Sequence, residues 1–357
     1  MTKNKKKYYD LKNILAHNAQ YNILLGQRSN GKSYSVKTLA LTRAYKYDEL
    51  FIYLRRLQTE IKNVNVESYF ADMPIDIITD NEYTTISVYS GKIFFANYDE
   101  KGKIVRGKQI GMTMYLNGAG HYKSMALPQF YRILYEEFIT NEFYLENECD
   151  TLQDLVSTVA RDRDLQVFMI GNTISRFCPY FREWELLNIP KQEQGTIDDY
   201  YIDTGSFDDD GKAIKTKISV EYCSSIDNKS KMIFGNKAKS ANMGAWETKI
   251  QPKINVPYKE CKIVYAIAFL VKGFKYKAEL LKYGNDLFIF VKPLSNKSRL
   301  PKRVVTDEFC TKYGYTTELV AINKADKIFL ELIRQGKICY SDNLTGSEFK
   351  MILRKGV

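Results

Sequence analysis

Eight residues near the start of the chain have the types and spacing of a phosphate-binding loop, GxxxxGK(S/T). They are Gly26, Gln27, Arg28, Ser29, Asn30, Gly31, Lys32 and Ser33. The two glycines let backbone N–H groups close around a phosphate, and the charge of Lys32 can reach its outer oxygens. The hydroxyl of Ser33 can hold Mg²⁺. The motif therefore predicts a site for a nucleoside triphosphate together with Mg²⁺.

The loop requires a strand before it and a helix after it. The apolar segment Tyr21–Leu25 is short enough for a buried strand, and residues 32–41 have helical character. A helix that begins at this loop adds partial positive charge to an anion site. The sequence therefore predicts the strand–loop–helix unit that a phosphate-binding loop needs.

Acidic and polar residues follow two later apolar segments. Glu136 and Glu137 end the segment that starts at Arg132, which is the Walker B arrangement when it lies downstream of a phosphate-binding loop. The first acid would hold Mg²⁺ and the second would orient the attacking water. Asn172 follows the predicted strand Leu165–Gly171; it either senses the outer phosphate or is an ordinary turn residue.

Arg55 and Arg56 follow a predicted strand at residues 49–54. Both are candidates for contact with phosphate, and the sequence leaves open whether that phosphate belongs to a nucleotide or to DNA. The alternatives stay open because a guanidinium suits either ligand.

Charge and length indicate more than one domain. The 357 residues carry a net charge of +11, and residues 259–357 alone hold 19 Lys/Arg and 10 Asp/Glu. Such a basic segment favours an acidic partner such as nucleic acid, although solvated lysines explain it equally well. We expect a nucleotide-binding domain at residues 1–204, a linker at 205–258 and a basic domain at 259–357. The last would hold three strands, beginning at Cys261, Phe274 and Asp286, and a helix at Thr317–Arg334.

Some classes of protein and site are disfavoured. The six cysteines are scattered without a CxxC pair, and there are only two histidines, so we expect no zinc site. No apolar run approaches the roughly 18 residues of a membrane span, so we expect no membrane partner.

Five segments in this order resemble the DNA-packaging ATPase of φ29-type phages. The resemblance covers about the first 200 residues. The first Walker B acid of the family is usually Asp, whereas this chain has Glu136. The resembling segments are Gly26–Ser33, Phe51–Arg56, Leu134–Ile139, Val159–Arg163 and Gly171–Thr173.

The resemblance implies an α/β fold, a P-loop NTPase of the additional-strand class with a mostly parallel sheet flanked by helices. It also implies a homo-oligomeric ring of five subunits with ATP sites at the subunit borders. Arg161 would be the arginine finger supplied to the neighbouring subunit, with Arg163 as the alternative. Lys123 would be a second trans-acting cation or, equally, a solvated loop lysine.

The resemblance implies a small α+β C-terminal domain of ribonuclease H-like fold that has lost nuclease activity. Its strand segments hold only Glu279 and Asp286, too few for a two-metal nuclease cluster. The implied function is ATP-driven movement of double-stranded DNA into a preformed procapsid at its portal, with structured prohead RNA as a partner. The implied location is the host cytoplasm, transiently on the procapsid.

Two other functions remain open from the sequence. One is another P-loop DNA translocase or a helicase, which would prefer single strands. The other is a nucleotide-gated module that binds DNA or the portal without being an enzyme.

Overall fold

The computed structural model describes residues 9–123, 125–140, 143–161, 163–175, 178–225, 238, 244–246, 250–271, 274–295 and 299–354. The chain forms two compact units, Met1–Glu247 and Thr248–Val357. Both units combine α-helices with a β-sheet.

The first unit is built on a large sheet. Its strands are β1 Tyr21–Gly26, β2 Leu50–Arg55, β3 Thr85–Tyr89, β4 Lys92–Tyr98, β5 Ile104–Tyr115, β6 Phe130–Glu136, β7 Gln166–Asn172, β8 Thr196–Phe207 and β9 Ala213–Tyr222. Within the described ranges these nine strands pair in the order β3-β4-β5-β2-β6-β7-β1-β9-β8. The six strands from β5 to β9 in this order are mutually parallel, and β3, β4 and β8 pair antiparallel. The sheet is therefore mostly parallel, as expected.

Helices cover both faces of this sheet. They are α1 Lys12–Ala16, α2 Lys32–Tyr47, α3 Asn63–Phe70, α4 Ile75–Ile78, α5 Glu148–Ala160 and α6 Pro179–Glu183. Successive strand residues point to opposite faces. Ile23 and Leu25 of β1 accordingly pack in the same core as α5, while Leu24 packs in the core that contains α2. Burial on both faces explains why the central strands are continuous apolar runs.

The predicted linker at residues 205–258 differs from the structure. Its first part continues β8 and then forms β9, which pairs in parallel with β1 from Tyr21↔Ile218 to Leu25↔Tyr222. Ile218 and Val220 are buried in the core of the first unit. The prediction of a linker was wrong there because pairing with β1 on one side and β8 on the other makes a strand, buried from residue 218 to 222, out of a polar-looking segment. The rest of the predicted linker lies largely outside the described residues.

The second unit contains a six-stranded sheet among its described residues. Its elements are β10 Lys262–Val271, β11 Phe274–Tyr283, β12 Asp286–Pro293, β13 Arg303–Thr306, β14 Tyr315–Thr316, α7 Lys324–Arg334, β15 Ile338–Tyr340 and α8 Asn343–Arg354. The strand order is β14-β13-β10-β11-β12-β15, with β10, β11 and β12 forming an antiparallel meander. The three predicted strands are therefore present.

The helix predicted at Thr317–Arg334 begins later, at Lys324. Asn323 caps it: the Asn323 side chain accepts a hydrogen bond from the backbone N–H of Asp326 at 2.9 Å. The Asp326 carboxylate accepts one from the Asn323 N–H at 3.3 Å. This reciprocal cap satisfies donors at the helix start and sets the boundary that periodicity alone did not locate.

In the part of the chain that the structure describes, none of the helices combines the length and the apolar character needed to cross a membrane.

Candidate active site

The carboxyl ends of β1, β2, β6 and β7 lie side by side at one edge of the sheet, because these strands are parallel neighbours. A cavity of about 1100 Å³ opens at this edge. Ligands bind at this edge in open α/β sheets. Of the predicted site residues, those that line the cavity are Arg28, Ser29, Asn30, Gly31, Lys32, Ser33, Arg55, Glu136, Glu137 and Asn172.

The glycine loop runs directly from β1 into α2. Gly31 has φ +100°, in the left-handed region that favours glycine, and α2 starts at the next residue. Gly26 has φ +152°, and a Cβ there would lie 3.4 Å from the Cys223 side chain. The positive φ values and the close neighbour explain why glycine occupies both ends of the turn, which places the α2 N-terminus at the cavity.

Lys32 is held within its own loop. Its ammonium donates to the Gln27 carbonyl oxygen at 2.7 Å and to Asn30 Oδ1 at 3.1 Å. The side chain is buried, and burial lowers the pKa of Lys32 to about 8. The Asn30 Nδ2 group is also buried and has no hydrogen-bond partner among the described residues. A buried ammonium and an unsatisfied donor in one loop fit an anionic ligand.

Glu136 and Ser33 both line the cavity. The Tyr69 hydroxyl donates to Glu136 Oε1 at 2.5 Å. Burial raises the pKa of Glu136, and the neighbouring hydroxyls of Tyr69 and Ser33 oppose the shift. The Ser33 hydroxyl and the Glu136 carboxylate together present oxygen ligands, the type that Mg²⁺ prefers.

Glu137 lies on the other side of the strand end. Its side chain is 52% exposed and its backbone has φ +55°, a strained conformation for a non-glycine residue. Arg55 Nη2 donates to Glu137 Oε2 at 2.7 Å and to Glu60 Oε1 at 2.8 Å. The predicted pair Glu136 and Glu137 is therefore divided between a buried carboxylate beside the loop and an accessible one held by an arginine.

Arg56 has a different place from Arg55. Its guanidinium is buried, donates to both oxygens of Glu148 at 2.8 and 3.0 Å, and donates to the Phe138 carbonyl oxygen at 2.6 Å. The residue is absent from the described lining of the cavity. The structure corrects the predicted phosphate contact for Arg56, because a buried carboxylate already occupies its donors.

Three further predicted cations lie outside the described cavity lining. Arg161 follows α5, is exposed, and donates to the Met125 carbonyl oxygen at 3.0 Å. Arg163 donates to the carbonyl oxygens of Pro128, Leu127 and Val159 at 2.6, 2.8 and 2.7 Å. Lys123 pairs with Asp154 at 3.3 Å, and both side chains are exposed. The three cations are thus not brought to the cavity of their own chain.

Two tyrosines that no sequence motif indicates also line the cavity. Tyr9 caps the loop: its N–H donates to the Asn30 carbonyl oxygen at 3.0 Å, and its hydroxyl donates to Glu221 Oε2 at 2.6 Å. Tyr69 reaches the site from α3. Neither tyrosine belongs to a recognisable motif, so no local signal could have identified it.

The chain matches the family described as podovirus DNA encapsidation protein (Gp16) over residues 3–218. The DNA packaging proteins of Bacillus phages PZA and phi29 are each 30% identical to it over 200 residues. These matches span 55% of this chain and about half the length, 55%, of each relative. Among solved structures, the bacteriophage Phi-29 viral genome packaging motor assembly has a TM-score of 0.57 at 21% identity, over 98% of this chain and 99% of that one.

That structural likeness shows a shared fold. The family match covers more than half of the sequence. The chain belongs to the podovirus DNA encapsidation protein (Gp16) family.

Proposed function

We propose that this chain is an ATP-hydrolysing motor that drives double-stranded DNA into a preformed phage capsid at its portal. The observation that carries the proposal is the meeting of the glycine loop, at the end of β1, with Glu136 and Glu137, at the end of β6, around one cavity. Membership of the family described as DNA encapsidation protein supports the DNA substrate. The relatives named as DNA packaging proteins support the same assignment.

The loop side of the site would bind the triphosphate. Backbone N–H groups of the loop and the ammonium of Lys32 would hold the phosphates, with the α2 N-terminus adding favourable charge. Ser33 and Glu136 would hold Mg²⁺, since both present oxygen ligands at the same cavity. When bound, Mg²⁺ neutralises charge on the phosphate oxygens.

The accessible acid would act on water. Glu137 would orient the attacking water and accept its proton, because its carboxylate is exposed at the cavity. Arg55 holds one oxygen of that carboxylate at 2.7 Å and so restricts its orientation. Asn172, at the end of β7, would contact the outer phosphate.

A further cation would come from a neighbouring subunit. We assign that role to Arg161, in a ring of five subunits, because it is exposed and lies outside the cavity lining of its own chain. A guanidinium inserted from the next subunit would neutralise charge that develops on the transferred phosphoryl group.

The second unit would bind nucleic acid without cutting it. Five strands of its described sheet run in the order β12-β11-β10-β13-β14, which supports a ribonuclease H-like fold, and β15 pairs with the outer side of β12. Glu279 is buried against Lys277 at 2.9 Å and Lys292 at 3.1 Å, so its charge is already balanced. The excess of basic residues in this unit suits DNA or a structured RNA at the portal, in the host cell on the procapsid.

The proposal is tested by Lys32→Ala. We expect ATP affinity to fall about 10- to 100-fold, because a charge-assisted contact to phosphate is lost, worth about 1.5–3 kcal/mol. Calorimetry measures the affinity. Protection of added duplex DNA from nuclease, in a mixture with procapsids and ATP, measures packaging and should fall with it.

Lys46→Ala is the matched control, because Lys46 lies on the same helix and is exposed in its last turn. It should bind ATP and protect DNA like the unchanged protein. Undiminished capsid filling by Lys32→Ala would overturn the proposed function.

DNA contact through the phosphate backbone makes a second prediction. A motor must accept any sequence, so binding should be independent of sequence and should weaken by about 10³-fold or more between 50 and 200 mM salt. Fluorescence anisotropy with two unrelated duplexes measures both properties. Stimulation of ATP hydrolysis by single strands in preference to duplex would instead indicate a helicase.

A further inference from the structure

The carboxylate of Glu136 receives a hydrogen bond from outside the recognised motifs. The Tyr69 hydroxyl donates to Glu136 Oε1 at 2.5 Å, and Ser33 of the loop lines the same cavity as Glu136. A carboxylate has about four lone-pair sites, so the bond from Tyr69 leaves sites for a cation or its water shell. Tyr69 therefore contacts a candidate metal ligand without obstructing it.

The helix that carries Tyr69 is anchored. Lys37 of α2 donates to the Tyr69 carbonyl oxygen at 2.6 Å, pairs with Asp72, and lies 4.6 Å from the centre of the Tyr69 ring. The ring centre also lies 4.7 Å from that of Tyr53 and 4.9 Å from that of Phe70. Contacts on the backbone and on the ring thus fix where the hydroxyl lies.

The length of Glu136 explains why such an anchor matters. Glutamate has one methylene and one rotatable bond more than aspartate, so its carboxylate has more orientations to lose when it binds a cation. A hydrogen bond from a fixed partner removes that freedom before the cation arrives. Partners of this kind orient metal ligands and affect metal affinity about 10- to 100-fold.

We propose that Tyr69 is the positioning residue that holds the Glu136 carboxylate in the orientation for Mg²⁺. The inference rests on the proposed ATP site and adds a residue from α3 to it. The hydrogen bond from Tyr69 to Glu136 would thus support cation binding as well as the packing of α3 on the sheet.

Tyr69→Phe tests the inference, because it removes the hydroxyl and keeps the ring. Calorimetry of ATP binding in EDTA and in Mg²⁺ gives the gain in affinity that Mg²⁺ confers. We expect affinity in EDTA to stay unchanged and the gain to shrink about 10-fold. Tyr45→Phe is the matched control, since the Tyr45 hydroxyl bonds Glu82 in an exposed place, and it should leave both quantities unchanged.

Glu136→Asp separates positioning from packing. The shortened carboxylate withdraws from the Tyr69 hydroxyl, so adding Tyr69→Phe to Glu136→Asp should change the gain no further. If Tyr69 serves only packing, Tyr69→Phe should lower the Mg²⁺-dependent gain in ATP affinity equally with Glu136 and with Glu136→Asp, and that result would overturn the inference. A gain that Tyr69→Phe alone leaves undiminished would also overturn it. Failure of the unchanged protein to bind ATP in either condition would reject the proposed function itself.

Discussion

Arg161→Ala is expected to lower the rate of ATP hydrolysis about 10³- to 10⁵-fold while ATP binding is retained. The rate falls because a guanidinium that neutralises the transition state is lost. Binding is retained because Arg161 lies outside the cavity lining of its own chain, among the described residues. Steady-state ATPase rates and calorimetric ATP affinity measure the two effects on the assembled ring.

Mixing two inactive variants shows whether the arginine acts across a subunit border. Glu137→Gln keeps Arg161 but cannot activate water, so it should also be inactive. At a border where a Glu137→Gln subunit supplies Arg161 to an Arg161→Ala subunit, the site is complete and hydrolysis should return. An arginine that acts within its own chain would produce no recovery in any mixture.

Arg163→Ala is the control within the same segment. Arg163 donates to three carbonyl oxygens at 2.6–2.8 Å and lies 5.7 Å from the Tyr131 ring centre, so its loss should lower stability. Mixing Arg163→Ala subunits with Glu137→Gln subunits should not restore any ATP hydrolysis that Arg163→Ala has lost. Recovery with Arg163→Ala, together with normal hydrolysis by Arg161→Ala, would transfer the assignment to Arg163.

Arg56→Met is expected to lower the free energy of unfolding of the first unit by about 3–5 kcal/mol. The reason is the isolation of Glu148, whose side chain is fully buried. Besides Arg56, Glu148 accepts hydrogen bonds from the hydroxyls of Tyr135 and Tyr180 at 2.9 and 3.0 Å. These neutral donors cannot balance the charge, so the carboxylate would be left in the core without its cation.

Chemical denaturation followed by tryptophan fluorescence measures this loss. Both tryptophans, Trp184 and Trp246, belong to the first unit, so their emission follows that unit alone. The double variant Arg56→Met with Glu148→Met should lower the free energy of unfolding by less than the sum of the two single variants, because no buried charge remains.

Lys123→Met is the control for the ion-pair argument. Its pair with Asp154 is about two-thirds exposed on both sides, so the loss should stay within about 1 kcal/mol. Equal destabilisation by Lys123→Met and Arg56→Met would show that burial of the Arg56–Glu148 pair is not what stabilises the unit.

Residues that are close in sequence could be assigned before the fold was seen. The glycine loop is one continuous segment, and its chemistry follows from residue type and spacing. The acids at 136 and 137 follow a strand in the same way. Parallel strands bring their carboxyl ends to one edge, so the meeting of these segments with Asn172 was also predictable.

Partners that are distant in sequence could not be assigned in this way. Arg55 and Arg56 are adjacent, yet one holds Glu137 at the cavity and the other pairs with Glu148 in the core. Tyr69 has no signature in the sequence. Its contact with Glu136 exists because α2 anchors α3 beside the sheet.

The sequence by itself placed the glycine loop between a strand and a helix and the acid pair at a strand end, because short-range spacing and hydrophobic runs suffice for these features. The mostly parallel sheet was expected from the family resemblance. The tertiary structure alone decided which arginine reaches the cavity, that β9 completes the sheet beside β1, and that Tyr69 holds the Glu136 carboxylate. Each depends on side chains or strands far apart along the chain, whose partners are selected by packing and by the requirement that buried charges and backbone groups be satisfied.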